Sequence, residues 1–189
     1  MTLGLGVDGV SGRELAEPGG AATRAVAFTQ LADEHLDASY RLARAIMGGQ
    51  AEAEDATHDA LIQAWRHWGQ LRDHARFEQW FDRILVNTCR ERLRRRKRWF
   101  TQDLSPDLAI PERDAMGQAD ARDEMRVALA QLSPDHRVVV ALRYYRDLTI
   151  EQIAERLGIA PGTVNSRLHY ALQHLRGVFA DAQGAGADR

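Results

Sequence analysis

Cysteine is almost absent from this chain. Cys89 is the only one in 189 residues, which excludes an internal disulfide and any multi-cysteine zinc site. Its surroundings point to a small buried residue rather than a reactive thiol. Lysine is as scarce: Lys97 stands alone among 25 basic residues. So complete a preference for arginine fits a GC-rich genome. No apolar run is long enough to cross a membrane. The first 25 residues lack a basic start followed by an apolar block, so no secretory signal is expected and the cytoplasm is the expected compartment. Nor is there a strong excess of one charge. The net value of −2 argues against a generic nucleic-acid glue.

What is present is organised along the chain. A hydrophobic fraction of 44% with 28% charged residues suits a soluble chain with a buried core. Residues 27–100 hold 13 Arg/Lys against 11 Asp/Glu, residues 101–126 hold 3 against 7, and residues 127–177 hold 6 against 4. Two mildly basic segments therefore flank an acidic connector.

The most informative stretch is Thr149–Leu175. Ile150, Ile153, Ala154 and Leu157 recur at helical spacing, and Thr149 with Gln152 has the spacing of a capping box. Gly158 can take the left-handed conformation that ends such a helix, and Pro161 suits the first turn of the next. Val164, Leu168, Ala171, Leu172 and Leu175 then form a second apolar stripe. The opposite face carries Thr163, Asn165, Ser166, Arg167, His169, Tyr170 and Gln173, side chains able to reach phosphates and base edges. From Thr163 to Arg176 there is no Asp or Glu, whereas a merely solvated helix mixes signs. The pattern is that of a helix-turn-helix.

Upstream, residues 1–25 are rich in Gly and Ala without periodicity and read as a disordered leader. Phe28, Leu31, Ala32, Leu42, Ala43 and Ile46 share one helical face, stopped by Gly48-Gly49. A second helix is expected over residues 51–68, with Ala53, Ala56, Ala60, Leu61, Ala64, Trp65 and Trp68 inward and Glu52, Asp55 and Asp59 outward beside His58. HWGQLRDHARF reads as a polar loop. In the third helix Phe77, Trp80, Phe81, Ile84, Leu85 and Thr88 form the apolar stripe, while Arg83, Asn87, Arg90, Arg94 and Arg98 occupy another face. Such a row can lie along a phosphate backbone, each neutralised phosphate steepening the salt dependence by about 0.9 in log–log slope. Trp99 and Phe100 offer rings for stacking, with core packing the plainer role. Pro106, Pro111, Gly117 and the acidic excess mark residues 101–122 as a flexible linker. Met125, Ala128, Leu129 and Leu132 open a second helical unit. Ser133-Pro134 caps the following helix, with Val138, Ala141, Leu142 and Tyr145 as its stripe, and residues 179–189 form a short tail.

This arrangement resembles the extracytoplasmic-function (ECF) group of sigma-70-type RNA polymerase sigma factors, which retain only the second and fourth sigma regions. AEDATHDALIQAWRHW is similar to the helix that docks on the polymerase clamp. FEQWFDRILVNTCRERLRRRKR is similar to the −10-recognition helix, and LSPDHRVVVALRYYRDLTIEQIAERLGIAPGTVNSRLHYALQHLR to the −35-binding region. The resemblance implies an all-α protein of two small helical domains, a region 2 bundle over residues 26–100 and a region 4 helix-turn-helix over residues 123–178. Residues 101–122 would join them. It implies that Asp55, His58, Asp59 and Gln63 meet core polymerase. Asn87, Arg90 and Arg94, with Arg72 and Arg76 of the preceding loop, would hold −10 DNA and an unstacked base. Thr163, Asn165, Ser166, Arg167 and Tyr170 would read the −35 groove, with Arg143 on its backbone. Promoter DNA and core polymerase are the implied partners, with room for an anti-sigma factor. No catalytic group, metal or cofactor is implied. Three positions depart from the family pattern: His58 where glutamine is usual, Ala160 where Ser or Thr commonly caps the recognition helix, and Asn165 where lysine is frequent. The missing cap costs about 1 kcal/mol.

Two other classes fit part of the chain. A free-standing helix-turn-helix repressor would use Thr149–Leu175 as a dimer on paired half-sites but leaves the basic third helix and acidic linker idle. A metalloenzyme would need ligands such as His58, His67 and His74 with Asp55 and Asp59, whose spacings match no zinc pattern such as HExxH.

Overall fold

The computed structural model describes residues 18–102 and 119–186, and among them there is helix and no strand. Helix α1 spans Pro18–Met47, α2 Gln50–His67 and α3 Phe77–Gln102, with short 3-10 turns at Trp68–Gln70 and His74–Arg76 between the last two. Helices α4 (Ala119–Gln131), α5 (Pro134–Tyr145), α6 (Ile150–Leu157) and α7 (Pro161–Gly186) follow.

The first three helices form a bundle around a stripe of small side chains. Ala53, Ala56, Ala60 and Ala64 on α2 are fully buried. Their size lets α2 lie close to both neighbours, which supply the bulk: Leu42 and Ile46 from α1, Phe77, Phe81 and Leu85 from α3. One end is closed by rings. Phe28 meets Trp68 edge-on at 5.3 Å and Phe77 at 6.1 Å, while Phe77 stacks on Phe81 at 5.6 Å. Each such pair adds roughly 0.5–1.5 kcal/mol beyond its buried area. The turn into α2 requires Gly48, whose φ of 85° is costly for any residue with a Cβ.

In the second unit, local capping decides where helices begin. Ser133 accepts from the His136 N–H at the start of α5. The Thr149 hydroxyl accepts from the Gln152 N–H while the Gln152 side chain accepts from the Thr149 N–H, so the capping box is reciprocal. Gly158 ends α6 at φ 64° and ψ 38°. Ile153 from α6, Val138 and Leu142 from α5, and Val164, Leu168, Ala171 and Leu175 from α7 fill the core.

Several sequence expectations need correction. Helix α1 starts at Pro18, so residues 18–25 of the expected leader are helical, and residues 1–17 lie outside the described residues. Helix α3 runs to Gln102 and α4 begins at Ala119, which takes both ends of the expected linker; its remainder, residues 103–118, is outside the described residues. Helix α7 continues into the expected tail, as far as Gly186. The expected polar loop contains both 3-10 turns and buries Trp68. Trp65 is 42% exposed, its ring on the bundle surface under the Arg24 guanidinium at 5.8 Å. Met125 and Tyr145 are also exposed rather than inward.

The two units pack on one another, α5 against α1 and α3, and α6 against α3. Arg137 is central to this contact. Buried in the interface, it donates to the carbonyls of Ile46 (2.8 Å), Ala130 (2.7 Å) and Leu132 (3.3 Å). These belong to the C-terminal ends of α1 and α4, whose negative dipole ends suit a cation. Burial, and then the neighbouring Arg96, pushes its pKa down to about 10, which leaves it protonated at neutral pH.

Candidate nucleic-acid interface

An acidic face on α2 carries the first group of candidates. Asp55, His58, Asp59 and Gln63 lie along one side of that helix, with Asp59 half-buried and the other three exposed. Arg92 reaches across from α3. Its Nε donates to the Asp59 carboxylate at 2.9 Å and its Nη1 to Asp55 at 3.3 Å. One turn further on, Arg96 faces Glu52 at 3.6 Å. The carboxylates at 52, 55 and 59 thus meet the guanidinium groups at 96 and 92, a complementary ladder between antiparallel helices. Gln63 is held differently: its amide donates to the Thr88 hydroxyl at 3.2 Å.

The second group lines the outer side of α3 and the loop before it. Arg72, Arg76, Asn87 and Arg94 are exposed, with Arg76 held 3.8 Å from Asp73. A shallow pocket at the loop before α3 is lined by Arg24, Trp68, Leu71 and His74, with the His74 ring stacked on Trp68 at 4.6 Å. Arg90 departs from this row. It is half-buried and pairs with Asp135 of α5 at 2.6 Å. The Trp99 and Phe100 rings lie outside the described side chains.

The third group is on α7. Asn165, Ser166 and Tyr170 are exposed and Thr163 half-buried, all on the outer face of the helix that Val164, Leu168 and Ala171 anchor. Arg167 shares that face but pairs with Asp135 at 3.1 Å. Arg143, expected on the DNA backbone, is half-buried, and its Nη1 donates to the Leu148 carbonyl at 2.8 Å, tying the α5–α6 turn together. At the start of α7, the Ala160 carbonyl accepts from the Thr163 and Val164 N–H groups, and its side chain can add no cap.

Among the described residues no group of three or more His, Cys, Asp or Glu side chains could hold a metal ion. His67 lies 2.8 Å from the Gln63 carbonyl and His74 packs on a ring, so these two histidines have structural neighbours of their own. Among the described residues, too, no helix is long and apolar enough to cross a membrane.

A family profile described as Sigma-70 region 2 matches residues 31–99, and one described as Sigma-70, region 4 matches residues 128–177. The ECF RNA polymerase sigma factor SigL of Mycobacterium tuberculosis is 36% identical over 162 residues, covering 84% of this chain and 92% of the relative. The chain belongs to the ECF family of RNA polymerase sigma factors. SigW of Bacillus subtilis, another ECF sigma factor, is 27% identical over 82% of this chain and 90% of its own. Among solved structures, the sigma factor RpoE of Bartonella quintana, in complex with the anti-sigma factor NepR, superposes with a TM-score of 0.66. It is 26% identical, covering 81% of this chain and 96% of that one. CnrH, solved with the cytosolic domain of CnrY, shares the fold at TM-score 0.59 and 24% identity, over 85% of this chain and 95% of that one.

In this sigma factor, the region 2 match runs from Leu31 on α1 to Trp99 on α3, and the region 4 match from Ala128 on α4 to Gly177 on α7. The matched pair of regions leaves the lone-repressor reading without support.

Sequence reasoning missed several residues of this sigma factor that the structure brings forward, Arg137 among them. Arg92 had a legible signal, since Cys89, Arg92 and Arg96 share the face of α3 turned towards the α2 acids. Asp82, Asp135, Arg146 and Arg156 had none, because the pairings of Asp82 with Arg146 and Arg156 and of Asp135 with Arg90 join the two regions across long sequence distances.

Proposed function

We propose that this sigma factor binds core RNA polymerase through the acidic face of α2 and directs promoter-specific initiation by contacting both promoter elements. Asp55, His58, Asp59 and Gln63 form the polymerase surface in this reading, with Arg92 fixing the carboxylates. Arg72, Arg76, Asn87, Arg90 and Arg94 hold the −10 DNA, and the pocket beside Trp68 and His74 offers a place for an unstacked base. Taking a base out of the stack costs a few kcal/mol, which its contacts in the pocket must offset. Thr163, Asn165, Ser166, Arg167 and Tyr170 read the −35 major groove. The units that do this are residues 26–100 and 123–178. The chemistry of RNA synthesis belongs to polymerase, so no catalytic group is required of this chain, and the work takes place in the cytoplasm. As the Bartonella quintana relative was solved with an anti-sigma factor, such a protein is proposed as a partner here.

The observation that carries the reading is the pairing, on one chain, of an arginine row on α3 with the acid-free outer face of α7. Asn165, Ser166 and Tyr170 on that face are exposed and pointed away from the core. Purified core polymerase mixed with the full chain tests it. The expected result is a one-to-one complex that Asp59→Arg abolishes; free chain eluting apart from polymerase at micromolar concentrations overturns the reading.

A further inference from the structure

Arg137 is a buried cation, 7% exposed, that meets no carboxylate among the described residues. Its two terminal nitrogens are taken up by the carbonyls of Ile46, Ala130 and Leu132, while its buried Nε–H has no acceptor among the described residues. Buried charges are ordinarily paired, because an isolated one forfeits its hydration. Burial lowers its pKa to about 10, and the charge that adds to the effect, Arg96, has the same sign. An anion is what this position lacks.

The same residue lines a cavity of about 580 Å³ between the end of α1 and helices α4 and α5. Arg41 and Arg44 of α1 and Arg126 of α4 line it too, with Leu129 of α4 and Tyr145 at the end of α5. Arg41 and Arg44 are exposed and three residues apart, on one side of their helix, and neither has an ion pair among the described residues. Among the described residues no Asp or Glu lines the cavity. A merely solvated arginine face mixes signs and keeps its cations in water; this one does neither. Guanidinium forks match the oxygens of phosphate groups. The volume is that of an ordinary small-molecule site, about 300–1,000 Å³, and exceeds what one phosphate needs.

We propose that this cavity binds a small molecule carrying several linked phosphate groups, with Arg41, Arg44 and Arg126 holding the outer phosphate oxygens and the Arg137 Nε–H donating to the innermost. The Leu129 and Tyr145 side can take an apolar or planar appendage such as a nucleoside. None of these residues belongs to the surfaces assigned above to polymerase or promoter DNA, so the site does not depend on that functional reading.

The test uses the full chain without polymerase or DNA. It is titrated by calorimetry with inorganic tripolyphosphate at fixed ionic strength in magnesium-free buffer. One site per chain is expected, weakened about tenfold or more in Arg41→Gln/Arg44→Gln, which removes two charge-assisted contacts. Arg94→Gln, on the separate arginine row of α3, should bind as wild type does. No saturable binding, equal affinity in the double variant, or loss with Arg94→Gln instead overturns the proposal. Circular dichroism reports whether the double variant folds. Nuclear magnetic resonance of the wild type gives a second reading that needs no variant: tripolyphosphate should shift the assigned Arg137 Nε–H resonance, and an unmoved resonance at saturation overturns the site. Titration with ATP separates the sources, tighter binding than tripolyphosphate pointing to a nucleotide and equal affinity to the phosphate chain alone.

Discussion

The Arg92 guanidinium donates to the Asp59 carboxylate through Nε at 2.9 Å, and through Nη1 it reaches Asp55 at 3.3 Å. One arginine on α3 thus sets the direction of two carboxylates on α2. The side chains are 30%, 45% and 69% exposed, so the pairing contributes about 1 kcal/mol or less to folding.

Arg92→Ala is therefore expected to lower unfolding free energy by no more than about 1 kcal/mol while weakening association with core polymerase several-fold. Arg92→Lys keeps the charge but not the planar fork, and should fall between. Thermal unfolding combined with a polymerase titration checks both, and unchanged polymerase affinity in the alanine variant would show that the carboxylates need no fixing.

The helix-turn-helix offers a pair of opposite predictions. Gly158 has φ 64° and an added Cβ would meet only the Arg83 guanidinium at 3.9 Å, so Gly158→Ala suffers backbone strain without a clash. The expected loss is about 1–2 kcal/mol. Ala160→Ser supplies the missing cap of α7 and should gain about 1 kcal/mol. Chemical denaturation of the two variants measures each shift; equal stabilities would mean that neither position sets the local geometry.

How much of this was legible follows from the range of the interactions. The capping box at Thr149 and Gln152, the Ser133-Pro134 start of α5 and the left-handed Gly158 all formed as the sequence pattern implied, because each is decided within four residues. The alanine stripe of α2 and the Phe77, Phe81, Leu85 stripe of α3 were readable from periodicity for the same reason. Asp82 was not. It sits between Phe81 and Arg83 with no local partner, and its guanidinium groups lie 64 and 74 positions away. The hydrogen bond from Arg143 to the Leu148 carbonyl was no more legible, since no residue pattern marks a side chain that closes the turn after its own helix.

Cys89 yields a prediction about reactivity. Burial pushes its thiol up to about 12, with Arg92 opposing, and the residue is fully buried. Thiolate, the reactive form, is therefore scarce at pH 8. Native protein should resist iodoacetamide over hours while denatured protein is modified within minutes, as mass spectrometry can follow. Rapid modification of the native protein would contradict the buried placement.

The core of region 2 should be the least tolerant part of the chain. Phe81 is 1% exposed and stacked on Phe77, so Phe81→Ala is expected to cost about 3–5 kcal/mol, visible as a large drop in denaturation midpoint.

Transcription from a randomised promoter library by core polymerase with the added chain tests most directly whether this chain gives polymerase its promoter address. Initiation confined to templates sharing one −35 and one −10 sequence is predicted, lost with Asp59→Arg and altered at −35 positions by Asn165→Lys. Transcription no different from core polymerase alone, with the chain binding duplex DNA as a dimer, would contradict it.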